Sequence, residues 1–178
     1  MSVSSRLARW LVRLEELDPS KIELGLERTR LVYERLEIPP PALTILVAGT
    51  NGKGSVSHFL SCLLSQQSRR VGLYTSPHLH RFNERIAIEG EPVSDRLLVE
   101  AFDRIEAVRG QTPLTYFEFT TLAALVCFEH ASVDCRVMEI GLGGRLDAVN
   151  VLEPDAAVLT NVGLDHQQWL GSSREQIG

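Results

Sequence analysis

Leu43-Thr44-Ile45-Leu46-Val47-Ala48-Gly49-Thr50-Asn51-Gly52-Lys53-Gly54-Ser55 decides the fold. Its first six residues are an apolar run rich in β-branched side chains, the pattern of a strand buried on both faces. The glycine-rich stretch breaks that run, and Val56, Phe59, Leu60, Leu63 and Leu64 resume it at helical spacing. Val71-Gly72-Leu73-Tyr74-Thr75 reads as the next strand and completes a strand–turn–helix–strand unit. In such a turn, glycines let the backbone curl so that several N–H groups face an anion. The positive end of the following helix adds to that field, and Lys53 supplies a mobile cation. Ser55 can offer a hydroxyl oxygen to Mg²⁺. The spacing is not the common G-x-x-x-x-G-K-[ST], because Val47 stands at its first glycine position and Gly54 separates Lys53 from Ser55. A phosphate-binding turn is the reading these residues favour; a plain glycine-rich connector is the alternative.

Upstream, Leu7, Trp10, Leu11 and Leu14 lie at helical spacing within a segment from about Ser5 to Leu17. A second helical pattern carries Ile22, Leu26, Val32 and Leu36 and ends at Pro39-Pro40-Pro41, which cannot donate backbone hydrogen bonds. Downstream, residues 86–93 predict a hairpin, and Ser94 or Asp95 can cap a helix with Leu98, Phe102 and Ile105 on its apolar side. A further helix is expected over Phe117–His130, with strands at 135–140 and 156–160. The fold class that follows is α/β, a P-loop-type, mostly parallel sheet with helices on both faces. Residues 1–41 form a helical segment packed on a domain that starts at residue 42. Ser172-Ser173-Arg174-Glu175 reads as a capping box in which Ser172 bonds a downstream N–H and Glu175 reaches back. It should open a helix, yet the chain stops at Gly178, so the domain over 42–178 is expected to be incomplete.

Hydrophobic residues make up 44% of the chain and charged residues 23%, a globular balance. The net charge of −5 argues against a broad nucleic-acid-binding surface, and no apolar run is long enough to span a bilayer. Cys62, Cys127 and Cys135 form no C-x-x-C pair and lie in apolar stretches, so buried reduced thiols are expected and the cytoplasm is the default location.

Other residues carry chemistry by position. Glu139 ends an apolar strand, where ligands gather in open α/β sheets and where a carboxylate is costly unless paired or metal-bound. Ser76 lies in a proline-containing loop after the previous strand and could equally be a turn residue. His166 follows Asp165 in a loop after the last strand. Gly141-x-Gly143-Gly144 lacks dinucleotide-binding spacing and reads as a tight turn. Phe117 offers an aromatic face, or is a core phenylalanine.

Taken together, the segments 24–28, 49–55, 75–79, 115–118, 139–148 and 164–166 resemble, in order, the folylpolyglutamate synthase/dihydrofolate synthase family of the Mur ligase superfamily. The resemblance implies a truncated Mur-ligase-like ATPase domain that uses ATP and Mg²⁺ to join L-glutamate to dihydropteroate or folates through an acyl phosphate. It gives catalytic roles to Lys53, Glu139 and His166, nucleotide binding to residues 49–55, and metal binding to Ser55, Ser76, Glu139 and His166. It gives pteroate binding to Leu24, Gly25, Thr115, Tyr116, Phe117, Glu118, Leu146, Asp147 and Ala148, although helix packing suits Leu24 nearly as well. It also implies a glutamate-binding C-terminal domain absent from these residues, a monomer, no nucleic-acid or membrane partner, and no turnover by this chain alone. A Mur-type ligase for a cell-wall precursor and a non-catalytic nucleotide-binding module are the competing readings.

Overall fold

A computed structural model describes residues 2–17 and 25–178. The chain runs α1 (Val3–Glu15), α2 (Glu27–Leu36), β1 (Leu43–Ala48), α3 (Lys53–Ser65) and β2 (Val71–Tyr74), followed by a 3₁₀ turn at Phe82–Arg85. Then come β3 (Ile86–Ile88), β4 (Glu91–Pro92), α4 (Asp95–Arg109), α5 (Tyr116–His130) and β5 (Cys135–Glu139). A second 3₁₀ turn at Ala148–Val151, β6 (Ala156–Leu159), α6 (Gln167–Leu170) and α7 (Arg174–Ile177) complete it.

The six strands form one sheet in the order β4-β3-β2-β5-β1-β6. β2, β5, β1 and β6 are parallel, and the expected hairpin β3–β4 adds an antiparallel edge. Strand alternation divides the core. Ile45, Val47, Leu73 and Val137 face α3, whereas Leu46, Tyr74 and Met138 face a larger layer built on α5. α5 is buried almost all round, which is why its apolar residues show no single stripe. α4, α1 and α2 cover it from outside, with Trp10 packed between Phe102 and Phe119 at ring distances of 5.6 and 5.8 Å. Trp10 Nε1–H donates to Asp103 at 3.0 Å and so ties α1 to α4.

Ser94 caps α4 as expected, accepting from Leu97 N–H at 3.2 Å. Three expectations change. The second helix begins at Glu27, and Ile22 lies outside the described residues. Cys62 is exposed on the outer side of α3, while Cys127 and Cys135 are buried. The last helix starts one residue later than its sequence suggests, without a side-chain cap bond. Ser173 is its N-cap, and Gln176 reaches back to accept from Ser172 N–H at 2.8 Å, the part assigned to Glu175. No helix among the described residues is long and apolar enough to cross a membrane.

Candidate active site

The 49–55 turn joins the end of β1 to α3, as its sequence requires. Gly49 has φ +134, and a Cβ there would stand 2.0 Å from Thr160 Oγ1. Gly52 holds φ +82 at the N-cap of α3, a left-handed conformation that glycine adopts without strain. The first N–H groups of α3 have no intrahelical acceptor and face the turn. Lys53 Nζ folds back onto the turn and donates to Gly49 O at 2.8 Å and Thr50 O at 3.3 Å. It is thus held over the loop by carbonyls it can leave for a stronger anion.

A clamp from the segment after β6 sets the loop's shape. Asn51 N–H donates to Asn161 Oδ1 at 3.2 Å, and Asn161 Nδ2 returns a bond to Asn51 O at 2.8 Å. Thr160 Oγ1 also donates to Asn51 O at 2.7 Å, and Thr50 Oγ1 accepts from Gly163 N–H at 2.8 Å. Sequence reading missed Thr160 and Asn161. Polar residues directly after an apolar strand, on the same sheet edge as the glycine turn, were the available signal.

Glu139 ends β5 between the ends of β1 and β2, opposite Val47 in the ladder. It is 4% exposed, and burial pushes its carboxyl above the usual range against the opposing pull of Ser76 N–H, Lys53 and His58. Ser76 N–H donates to its Oε2 at 3.1 Å, which brings together Ser76 and Glu139, both expected at a metal site. Gly54 leaves room beside them, since a Cβ there would lie 3.7 Å from Glu139 Oε2. A buried carboxylate with the hydroxyl-bearing Ser76 beside it offers the hard-oxygen donors that Mg²⁺ takes while keeping several waters, and Ser55 stands exposed in the first turn of α3. His166 stands apart on an exposed loop with φ +48, its Nε2 3.8 Å from Asp165 Oδ2. Among the described residues no three His, Cys, Asp or Glu side chains converge as a metal cage.

A cavity of about 530 Å³ opens between Lys53 and the 141–146 turn, with His166 and Trp169 in its wall. The turn is organised by Asp147. Its Oδ2 accepts from Gly141 N–H at 3.1 Å and Leu142 N–H at 2.8 Å, and its Oδ1 accepts from Val149 N–H at 3.0 Å. Burial outweighs these three donors and pushes its pKa up to about 6. Asp147 therefore shapes the loop from inside. Leu146 lies exposed at the cavity rim and Ala148 is buried.

Phe117 closes down on this turn, and a Cβ at Gly141 would meet its Cζ at 2.4 Å. Behind it Tyr74 packs at a ring distance of 6.0 Å, its hydroxyl bonded to Thr120 at 3.0 Å. Thr115 and Glu118 form the capping box of α5, with Thr115 N–H donating to Glu118 Oε2 at 2.7 Å. Glu118 also accepts from Arg28 at 3.1 Å, so both of its oxygens serve the scaffold. Tyr116 is buried under the Arg85 guanidinium, 5.4 Å from its ring centre. Gly25 N–H approaches Leu146 O at 3.4 Å and carries the N-terminal segment to the same rim; Leu24 lies outside the described residues.

Comparison with known proteins places these features in context. A family model described as the Mur ligase middle domain matches residues 47–177. The dihydrofolate synthase/folylpolyglutamate synthase of Escherichia coli K12 is 47% identical over 176 residues, 98% of this chain but 42% of its own length. The solved structure of Escherichia coli FolC in complex with DHPP and ADP superposes with a TM-score of 0.94 at 45% identity, covering 99% of this chain and 43% of that one. The bifunctional folylpolyglutamate synthase/dihydrofolate synthase of Yersinia pestis, complexed with AMPPNP and Mn, gives a TM-score of 0.90 at 48% identity over 99% of this chain and 43% of that one. The chain thus spans about two-fifths of the length of the relatives it matches.

Proposed function

Because the chain belongs to the Mur ligase family, through its middle domain, we propose that it is the nucleotide- and pterin-facing part of an ATP-dependent ligase joining L-glutamate to dihydropteroate or folates. The observation that carries this reading is the placement of a clamped phosphate turn, a buried strand-end carboxylate and an aromatic-walled cavity at one edge of the sheet.

The chemistry suits those parts. A carboxylate resists amines until one oxygen becomes a good leaving group. Its oxygen takes the terminal phosphoryl of ATP and ADP departs; the glutamate amine then attacks the carbonyl carbon, loses a proton, and inorganic phosphate leaves. The chain's share is alignment and charge neutralisation. Backbone N–H groups of residues 49–55 cradle the phosphates, and Lys53 leaves the Gly49 and Thr50 carbonyls to meet the terminal one. Glu139, Ser76 and Ser55 would hold Mg²⁺, which would neutralise phosphate charge. His166, in the wall of the cavity, would serve a second metal. Phe117 and the rim of Gly25 and Leu146 receive the pterin, with Asp147 holding the turn beneath it and Thr115, Tyr116 and Glu118 fixing the start of α5. Asp147 can also accept from a pterin N–H on a lone pair its three backbone donors leave open.

The same reading carries a monomeric, cytoplasmic enzyme without nucleic-acid or membrane partners. It expects ligand binding without glutamate ligation from these 178 residues, which cover two-fifths of the relatives' length. Incubating this chain, and a protein of the relatives' full length that contains it, with ATP, Mg²⁺, dihydropteroate and glutamate separates the readings by phosphate release and product mass. Glutamylated pterin from the long protein supports the proposal. Turnover only with muramyl precursors would replace its substrate, and nucleotide binding without turnover by the long protein would leave a binding module.

A further inference from the structure

Asn161 meets the phosphate turn with both its main chain and its side chain. Its carbonyl accepts from Thr50 N–H at 3.0 Å. Its carboxamide takes both sides of Asn51: Oδ1 accepts from the N–H at 3.2 Å, and Nδ2 donates to the C=O at 2.8 Å. A facing strand residue exchanges bonds in this way, and an amide side chain offers the acceptor and the donor together. Asn161 thus carries the β1–β6 pairing, whose ladder ends at Ala48 and Leu159, onward over the turn. Gly49 permits the approach, because a Cβ there would stand 3.0 Å from Asn161 O and 3.1 Å from Asn161 N.

These bonds divide the donors of the turn. The N–H groups of Thr50 and Asn51 are spent on Asn161. Among the described residues none accepts from the N–H groups of Gly52, Lys53, Gly54 or Ser55, which stand at the positive end of α3. An anion at the turn therefore meets four consecutive free donors that begin directly after the residue Asn161 holds.

We propose that Asn161 is a positioning residue for the nucleotide. By fixing Asn51 at both its N–H and its C=O, it takes Thr50 and Asn51 out of phosphate binding and aims the N–H groups of Gly52–Ser55 at the phosphates. Asn161 does not itself touch them. The assignment rests on the nucleotide-binding reading given above and narrows the cradle to the second half of the turn.

Parallel ¹H–¹⁵N NMR titrations of the 178-residue chain and of Asn161→Ala with Mg²⁺ and AMPPNP test this. In the unaltered chain the nucleotide should move the Gly52, Lys53, Gly54 and Ser55 amides strongly and leave those of Thr50 and Asn51 nearly in place. Asn161→Ala should bind roughly tenfold more weakly through loss of the two side-chain bonds. Its freed Asn51 amide should now move on titration, while Thr50, which keeps its bond to the main chain of residue 161, should not. Thr50 and Asn51 amides that move most in the unaltered chain, or undiminished affinity in Asn161→Ala, would each overturn the assignment and leave the nucleotide reading intact. So would a lower melting temperature with an unchanged pattern of shifts, which marks a structural residue only. No saturable binding by the unaltered chain would remove both the assignment and the reading beneath it. Should Asn161→Ala fail to fold, the unaltered chain decides: shifts confined to residues 52–55 support the assignment, and shifts that include 50 and 51 overturn it.

Discussion

Replacing Asp147 by asparagine should remove a pH dependence that this side chain builds into the fold. The carboxyl is 5% exposed, and burial lifts its pKa from 3.8 to about 6 even though Gly141, Leu142 and Val149 donate to it. A pKa raised by folding means that the native state holds a proton the unfolded chain has released. The associated stability is present below pH 3.8 and is lost as pH rises through about 6. The difference between those pKa values corresponds to roughly 3 kcal/mol. That is large against a typical domain stability of about 5–15 kcal/mol. Urea unfolding of the wild type and Asp147→Asn across pH 4–7 measures it, and other titrating groups cancel in the difference. The wild type should lose roughly 3 kcal/mol relative to the variant as pH rises. A pH-independent difference, or one of opposite sign, would show that the three N–H donors outweigh desolvation and refute the reasoning.

Other consequences follow from the same contacts. Gly49→Ala puts a Cβ 2.0 Å from Thr160 Oγ1 and 3.0 Å from Asn161 O. It should cost about 1–3 kcal/mol in a thermal melt and weaken nucleotide binding by opening the clamp. Glu118→Gln removes the charge paired with Arg28 and weakens the cap of α5; urea denaturation should show a loss of about 1–3 kcal/mol. Glu139→Gln should leave nucleotide affinity nearly the same with and without Mg²⁺, whereas the wild type gains affinity from the ion. Paired titrations in Mg²⁺ and in chelator read that directly.

The strand–turn–helix unit at residues 43–65 was legible because three signals agree there: a β-branched run, glycines at the turn, and helical spacing beyond it. Glu139 was legible for a similar reason, since a carboxylate closing an apolar strand is out of place unless it has work at the sheet edge. The clamp by Thr160 and Asn161 was not, because it joins residues more than a hundred positions apart through side chain-to-backbone bonds without periodicity. The inward use of Asp147 and Glu118 was hidden too. Both carboxylates accept from nearby backbone N–H groups, and a carboxylate's position in the sequence does not reveal such bonds. Cys62 misled for a simpler reason: apolar neighbours on a helix do not say which side meets the sheet, and α3 leaves Phe59 71% and Leu63 62% exposed on its far side.

Calorimetric titration of the 178-residue chain with Mg²⁺ and AMPPNP, beside Lys53→Ala, probes whether the 49–55 turn binds phosphates. Saturable, magnesium-dependent binding that falls roughly tenfold or more on loss of the lysine is the expected result. Equal affinity in the two proteins, or no saturable binding by the wild type, would contradict it.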